Sequence, residues 1–152
     1  TFMTIFSRTD SDNLHFRELV ALLDADLKIR DGDEHDFYAQ FNSIENLRHV
    51  IICYVDNNPV GCGAFKKFDE QRAEIKRMFV LPEFRGHGTG LNILKELEIW
   101  AMELNYSACI LETGKKQPEA IRLYQKAGYS IIKNYGQYEH VENSICMSKL
   151  IV

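Results

Sequence analysis

Three glycines at alternate positions, Gly86, Gly88 and Gly90, stand between a strand-like run ending at Val80 and a long stretch of helical periodicity. Glycine is among the poorest helix formers, so these three are not there to build the helix. A strand that turns through glycine into a helix leaves several backbone N–H groups unpaired at the positive end of the helix dipole. That is an anion site, and the missing side chains let a phosphate reach the amides. Arg85 adds a positive charge at the rim, Thr89 adds a hydroxyl, and His87 lies between two of the glycines. A merely tight strand-to-helix turn would need one glycine, not three.

The rest of the chain supplies a mixed frame for that turn. "FMTIFSR" alternates loosely as a first strand. From Asp12 the apolar residues Phe16, Leu19, Val20, Leu22 and Leu23 follow at helical spacing, with Ser11 or Asp12 as N-cap. "DGDEHDFYAQFN" predicts a turn at Gly32 and a second, short helix through Phe37, Tyr38 and Phe41. "HVIICYV" and "PVGCGAFKKF", joined by the tight turn "DNNP", read as a hairpin. "AEIKRMFVL" adds a strand, and the helix after the glycines carries Leu91, Leu94, Leu97, Ala101 and Leu104 on one face. "SACILET" is a further strand and "PEAIRLYQKA" a helix closed by Gly128. "YSIIKNY" and "NSICMSKLI" are the last strands, joined by the polar loop "GQYEHVE". The order is β–α–α, an antiparallel meander, then β–α–β–α–β–β, which is a mixed α/β domain.

Composition narrows the function. A chain of 152 residues fits one domain, residues 1–152, and 45% apolar residues suffice for a core. Lysine and arginine number 18 against 22 acids, a formal charge of −4, which argues against a nucleic-acid partner. No apolar run is long enough for a bilayer, and "TFMTIFSRTDSD" has no charged start followed by an apolar stretch, so neither a membrane span nor a secretory signal is expected. Cys53, Cys62, Cys109 and Cys146 form no C-x-x-C pair and lie in apolar runs. They read as buried small hydrophobes of a reducing compartment, so a cytoplasmic location is expected. His35 and His87 lack paired ligand spacing and read as loop residues, so no metal is expected.

The phosphate ligand is narrowed by what the glycines are not. Their spacing is not that of a P-loop, and they follow a meander in mid-chain rather than the first strand of a parallel repeat. "RGHGTG" instead resembles the R/Q-x-x-G-x-G/A pyrophosphate loop of the GNAT acetyltransferases, with Arg85, Gly88 and Gly90 in place. "QPEAIRLYQKAGY" resembles that family's N-x-x-A-x-x-L-Y-x-K-x-G-F segment at Ala120, Leu123, Tyr124, Lys126 and Gly128. Gln117 stands where the family has asparagine, and Tyr129 where it often has phenylalanine. The likeness is strong over residues 48–135. It implies a GNAT-like domain: a central mixed sheet of about seven strands with flanking helices, splayed between the fourth and fifth strands.

The resemblance also implies a chemistry, in which acetyl-CoA is the donor co-substrate and a primary amine of a small molecule or peptide the acceptor. Pyrophosphate would sit on the amides of residues 85–90, from Arg85 through Gly86, His87, Gly88 and Thr89 to Gly90. The pantetheine arm would pair with the backbone of Met78, Phe79 and Val80, and an N–H from that stretch would hold the oxyanion. Tyr124 lies seven residues after Gln117, two helical turns along the same face. The family tyrosine at this place implies that Tyr124 is the general acid for the departing thiolate; an amphipathic core tyrosine is the other reading. Glu74, heading the central strand, and Glu112, at the end of "ILET", compete as general base, and a water relay would replace either.

Six carboxylates between Asp24 and Asp36 against two bases would make a negative rim that attracts a cationic amine, or a solvated charged loop. Phe37, Tyr38, Phe41, Tyr135 and Tyr138 would line a pocket beside it or fill core. Two other functions stay open: a non-catalytic acyl-CoA-binding sensor and a structural nucleotide-binding module. A homodimer is compatible with all three.

Overall fold

A two-residue turn organises the first half of the sheet. In the computed structural model, which describes residues 3–40 and 46–152, Asp56 and Asn57 take φ of 48° and 69°. That is the left-handed pair of a type I′ turn, whose twist matches the flanking strands. It joins β2 (His49–Val55) to β3 (Asn58–Lys67). β1 (Thr4–Thr9) and β4 (Arg72–Val80) add antiparallel on either side, completing the meander. β5 (Ala108–Gly114), β6 (Ser130–Ile132) and β7 (Ser144–Leu150) complete a sheet of seven strands in the order β1-β2-β3-β4-β5-β7-β6.

The seam between β4 and β5 is parallel and short. Arg72 faces Ala108, Ala73 faces Cys109 and Glu74 faces Ile110, and beyond these pairs the two strands part. This is the splay that the resemblance implies between the fourth and fifth strands. Just past the parting, β4 is irregular. Cys62 faces Phe79 and Ala64 faces Lys76, so Arg77 and Met78 together oppose Gly63 in a bulge. Arg77 takes φ of 59°, which few non-glycine residues adopt.

Helices cover both faces, and strand alternation sorts the core between them. α1 (Leu14–Asp31) lays Phe16, Leu19, Val20 and Leu23 on Val50, Ile52, Cys62 and Ala64. α3 (Thr89–Glu103) lays Ile93, Leu94, Leu97 and Ala101 on the opposite face, against Ile51, Cys53, Phe65 and Leu111. α2 (His35–Ala39) follows α1, and α4 (Pro118–Lys126) lies between β5 and β6. All four cysteines are buried.

Three local expectations need correction. The cap of α1 is Asn13, whose side chain accepts from the Phe16 amide at 3.1 Å, rather than Ser11 or Asp12. Ser11 lies two residues before the cap, its amide donating to the Leu47 carbonyl at 2.8 Å. The buried face of α3 includes Glu98, while Leu91 is only half-buried and Leu104 lies exposed past the helix end. Glu98 is tolerated there because Tyr129 Oη and Lys149 Nζ donate to it at 2.9 and 2.8 Å. "GQYEHVE" is not simply a polar loop, since it holds a 3-10 turn that buries Tyr138 against Tyr38. The expectation for Phe41 lies outside the described residues.

Candidate functional site

Where β4 and β5 part, two adjoining cavities open. The larger, about 340 Å³, runs from the glycine turn along the end of β4 to α4. The smaller, about 90 Å³, lies between the end of α1, β4 and β5. Leu23, Met78, Gln117 and Tyr124 line both, so these side chains mark the junction.

The glycine turn faces the larger cavity. Gly86 and Gly88 take φ of 83° and 81°, and a Cβ on either would stand in open space. Their backbone conformation, rather than crowding, requires glycine. Gly88 is the N-cap of α3 and supplies no capping side chain, so the first-turn amides of α3 keep their donors available beside the cavity. Gly90 is different: a Cβ there would meet Leu123 at an ordinary 3.4 Å. Arg85 ties the turn together, its Nε donating to the Val80 carbonyl at 2.8 Å and its guanidinium lying over the Phe79 ring. Thr89 joins the lining, whereas the His87 side chain is exposed and lines neither cavity.

Met78 in the bulge and Val80 beyond it line the same groove, and Phe79 also borders it while packing against the α1 side of the core. Along residues 75–80, β4 is paired with β3 but not with β5. Its second edge therefore offers peptide groups to whatever enters the wedge.

Tyr124 projects from α4 into the junction and is 7% exposed. Its ring is held edge-on by Tyr129 at 6.0 Å between centroids. Its hydroxyl has no hydrogen-bond partner among the described residues. Burial, reinforced by the charge of Glu112, pushes the phenol well above its ordinary range, so it keeps its proton. Gln117 caps α4 by position only, since its side chain makes no cap hydrogen bond and borders both cavities instead.

Both predicted carboxylates reach the smaller cavity, in unlike settings. Glu74, the last residue of β4 paired with β5, is buried and accepts from Tyr135 Oη at 2.8 Å, with Lys66 Nζ at 3.9 Å. Glu112 accepts from Ser144 Oγ at 2.6 Å. With its single proton so used, Ser144 accepts from Tyr38 Oη at 3.0 Å, and Tyr38 accepts from Asn143 Nδ2 at 3.2 Å. Burial pushes the Glu112 carboxyl up to about 7, opposed by the Ser144 hydrogen bond and Lys76 and helped by the charges of Asp31 and Glu74. Burial lowers the Lys76 ammonium in the same pocket.

The acidic segment is open only in part, with Asp33 and Asp36 exposed and the other carboxylates engaged or turned inward. Asp24 pairs with Arg77, Asp26 and Glu119 with Arg30, and Glu34 with Lys116. Asp31 turns inward as the last residue of α1. The sequence reading missed Lys76 and Ser144. Lys76 falls within a strand stretch already under scrutiny, but nothing local marks Ser144. Among the described residues no group of three or more His, Cys, Asp or Glu side chains is placed to hold a metal ion.

Comparison with known proteins gives one consistent picture. The family model described as "Acetyltransferase (GNAT) family" matches residues 16–129. An IAA acetyltransferase of Azospirillum brasilense is 40% identical over 91 residues, 59% of this chain and 60% of that protein. The uncharacterized protein YyaT of Bacillus subtilis is 30% identical over 69% of this chain and 74% of its own length. For the first three curated relatives the match spans 60%, 47% and 55% of their lengths. A crystal structure described as an acyl-CoA N-acyltransferase of Klebsiella pneumoniae superposes with a TM-score of 0.79 at 28% identity, covering 99% of both chains. A GNAT family acetyltransferase of Elizabethkingia anophelis, solved with acetyl-CoA bound, shares the fold with a TM-score of 0.69 at 19% identity, over 97% of both chains.

Proposed function

The chain belongs to the acetyltransferase (GNAT) family, and on that premise we propose that it moves an acetyl group from acetyl-CoA to a primary amine of a small molecule or peptide. One observation carries this reading: the hydroxyl of buried Tyr124, without a hydrogen-bond partner among the described residues, stands where the glycine-lined groove meets the acid-lined pocket. The groove, at about 340 Å³, has the size of a ligand site. Its uncapped α3 amides suit a pyrophosphate, and the second edge of β4 suits the amides of a pantetheine arm, taken up like an added strand.

Acetyl-CoA supplies an acetyl group on a thioester, whose thiol is the leaving group. The residues of this chain then divide the proton work. An amine arrives protonated and must lose a proton to attack. Glu112 accepts it, because a carboxyl lifted to about 7 is an effective base near neutrality. Glu74, held by Tyr135, fixes the floor of the pocket instead. Tyr124 keeps its proton until the C–S bond breaks, gives it to sulfur, and is reprotonated by the second proton that leaves the attacking nitrogen as it becomes the amide. The burial that lifts the phenol would lift the departing thiolate too, so donor and acceptor shift together. A backbone N–H past the bulge, near Met78, holds the carbonyl oxygen as charge grows on it. The balance is one ammonium and one thioester converted to one amide, one thiol and one released proton.

The test is thiol release from acetyl-CoA across a panel of amines, alongside CoA binding by calorimetry. Amine-dependent release is expected. Tight CoA binding with no release for any amine would replace the enzyme with a non-catalytic acyl-CoA sensor.

A further inference from the structure

Asp31 is the only buried carboxylate between residues 24 and 36, at 4% exposure, and it lines the pocket of about 90 Å³ with Glu74 and Glu112. Its side chain caps nothing in the 3-10 turn that follows and has no hydrogen bond or ion pair among the described residues. The cations around it have other carboxylates: Arg30 has Asp26 and Glu119, Lys116 has Glu34, and Arg77 meets Asp24 through a terminal nitrogen while its buried Nε has no partner among the described residues. Lys76 is drawn to Glu74 and Glu112, and it does not figure among the charges acting on Asp31. His35 and Lys116 act on Asp31 only through space.

The placement is costly in two ways. A carboxylate on the last residue of a helix faces the negative end of the dipole, and one that opens only onto a small cavity gives up much of its bulk hydration. Buried charges are ordinarily paired. Among the described residues Asp31 has no partner, and its side chain borders the cavity that adjoins Tyr124, so the missing cation is assigned to a molecule in that cavity.

We propose that Asp31 receives the second positive charge of the acceptor, a compact diamine whose other nitrogen is presented to Glu112 and Tyr124. The inference rests on the N-acetyltransferase reading and names its substrate class. A cavity of about 90 Å³ is well below the usual several hundred of drug-sized ligand sites, so only a short carbon chain fits between the two nitrogens. Burial lifts the Asp31 carboxyl, and an arriving cation pulls it back toward ionisation.

The test sets diamines from 1,3-diaminopropane to 1,5-diaminopentane against monoamines of equal carbon count, which differ only in the second charge. With acetyl-CoA, kcat/KM should favour the best diamine by about tenfold or more, as a desolvated charge pair does over its truncation. In Asp31→Asn that ratio should fall toward parity, while the melting temperature stays level or rises, because an unpaired buried charge has gone. A melting temperature that drops sharply would make Asp31 a structural residue and overturn the proposal. So would equal kcat/KM for diamine and monoamine in the native chain, although thiol release would leave the acetyltransferase reading standing. Calorimetry with the diamines and CoA separates the remaining case. Diamine binding that depends on Asp31 without thiol release upholds the cation site and sinks the catalytic reading. Neither binding nor release overturns both.

Discussion

Replacing Glu112 by glutamine tests the assignment of the base through its pH dependence. Burial moves this carboxyl from an ordinary 4.5 up to about 7. At pH 6 about one tenth of such a group is ionised, and at pH 8 about nine tenths, so kcat/KM for the acceptor should rise about tenfold between them. The acceptor amine titrates as well, and dividing the native profile by that of Glu112→Gln cancels its contribution. The quotient should climb about tenfold per pH unit below 7 and level off above it. Stability supplies a second readout with a fixed sign. A carboxyl whose folded pKa lies above its unfolded one contributes stability that is full below about 4.5 and lost as the pH rises through about 7. The loss is about 3 kcal/mol at most. Glu112→Gln has no charge to desolvate and still offers Ser144 an acceptor, so in urea at pH 8 it should be more stable than the native chain. A flat quotient between pH 5.5 and 8.5, or the same limb removed by Glu74→Gln, would refute the assignment.

Tyr124→Phe removes a hydroxyl that no described residue engages, so folding should barely change while kcat falls about 10²-fold and the KM for acetyl-CoA moves much less; retained turnover with chemistry rate-limiting would assign the proton to another donor. Gly88→Glu imposes a side chain at φ of 81° and a negative charge at the α3 amides. It should weaken CoA by at least about tenfold in calorimetry and cost about 1 kcal/mol of stability, and unaltered affinity would dismiss the phosphate cradle. Leu97→Ala leaves a hole beneath α3 at a fully buried site and should cost about 2–5 kcal/mol in urea unfolding; a cost below about 1 kcal/mol would mean the α3 face is not held by packing.

The element order is legible in the sequence because its signals are local: period-two apolar runs, the Asp56–Asn57 turn, the glycines before α3 and the glycine after α4. The parting of β4 from β5 is not local, and only the likeness at Arg85, Gly88, Gly90 and the α4 segment announces it. The cap of α1 escapes because Ser11, Asp12 and Asn13 are all capping residues. The choice falls to where the chain leaves its extended path, and Asn13 is the residue whose side chain meets the Phe16 amide. Glu98 looks like a surface position on a helix until Tyr129 and Lys149 arrive from elsewhere in the chain. The same holds in the site. Tyr124 and the glycines are marked by spacing, but Ser144 beneath Glu112 and Tyr135 on Glu74 are joined to the acids by tertiary folding alone. Asp31 sits in a run of charges that reads as solvated, and its burial depends on where α1 happens to end against β5.

In the strand ladder, three residue pairs join the β1–β4 block to the β5–β7–β6 block. In mechanical language the sheet is a tuning fork, two stiff tines on a short stem at residues 72–74 and 108–110. Amide hydrogens on the inner edges of the tines have no ladder to shield them, so they should exchange with solvent faster than their neighbours across β3 and β7. A pantetheine arm lying between the tines would protect both edges at once. The fork would then ring as a single bar, and the protein's resistance to heat would rise with the logarithm of CoA concentration.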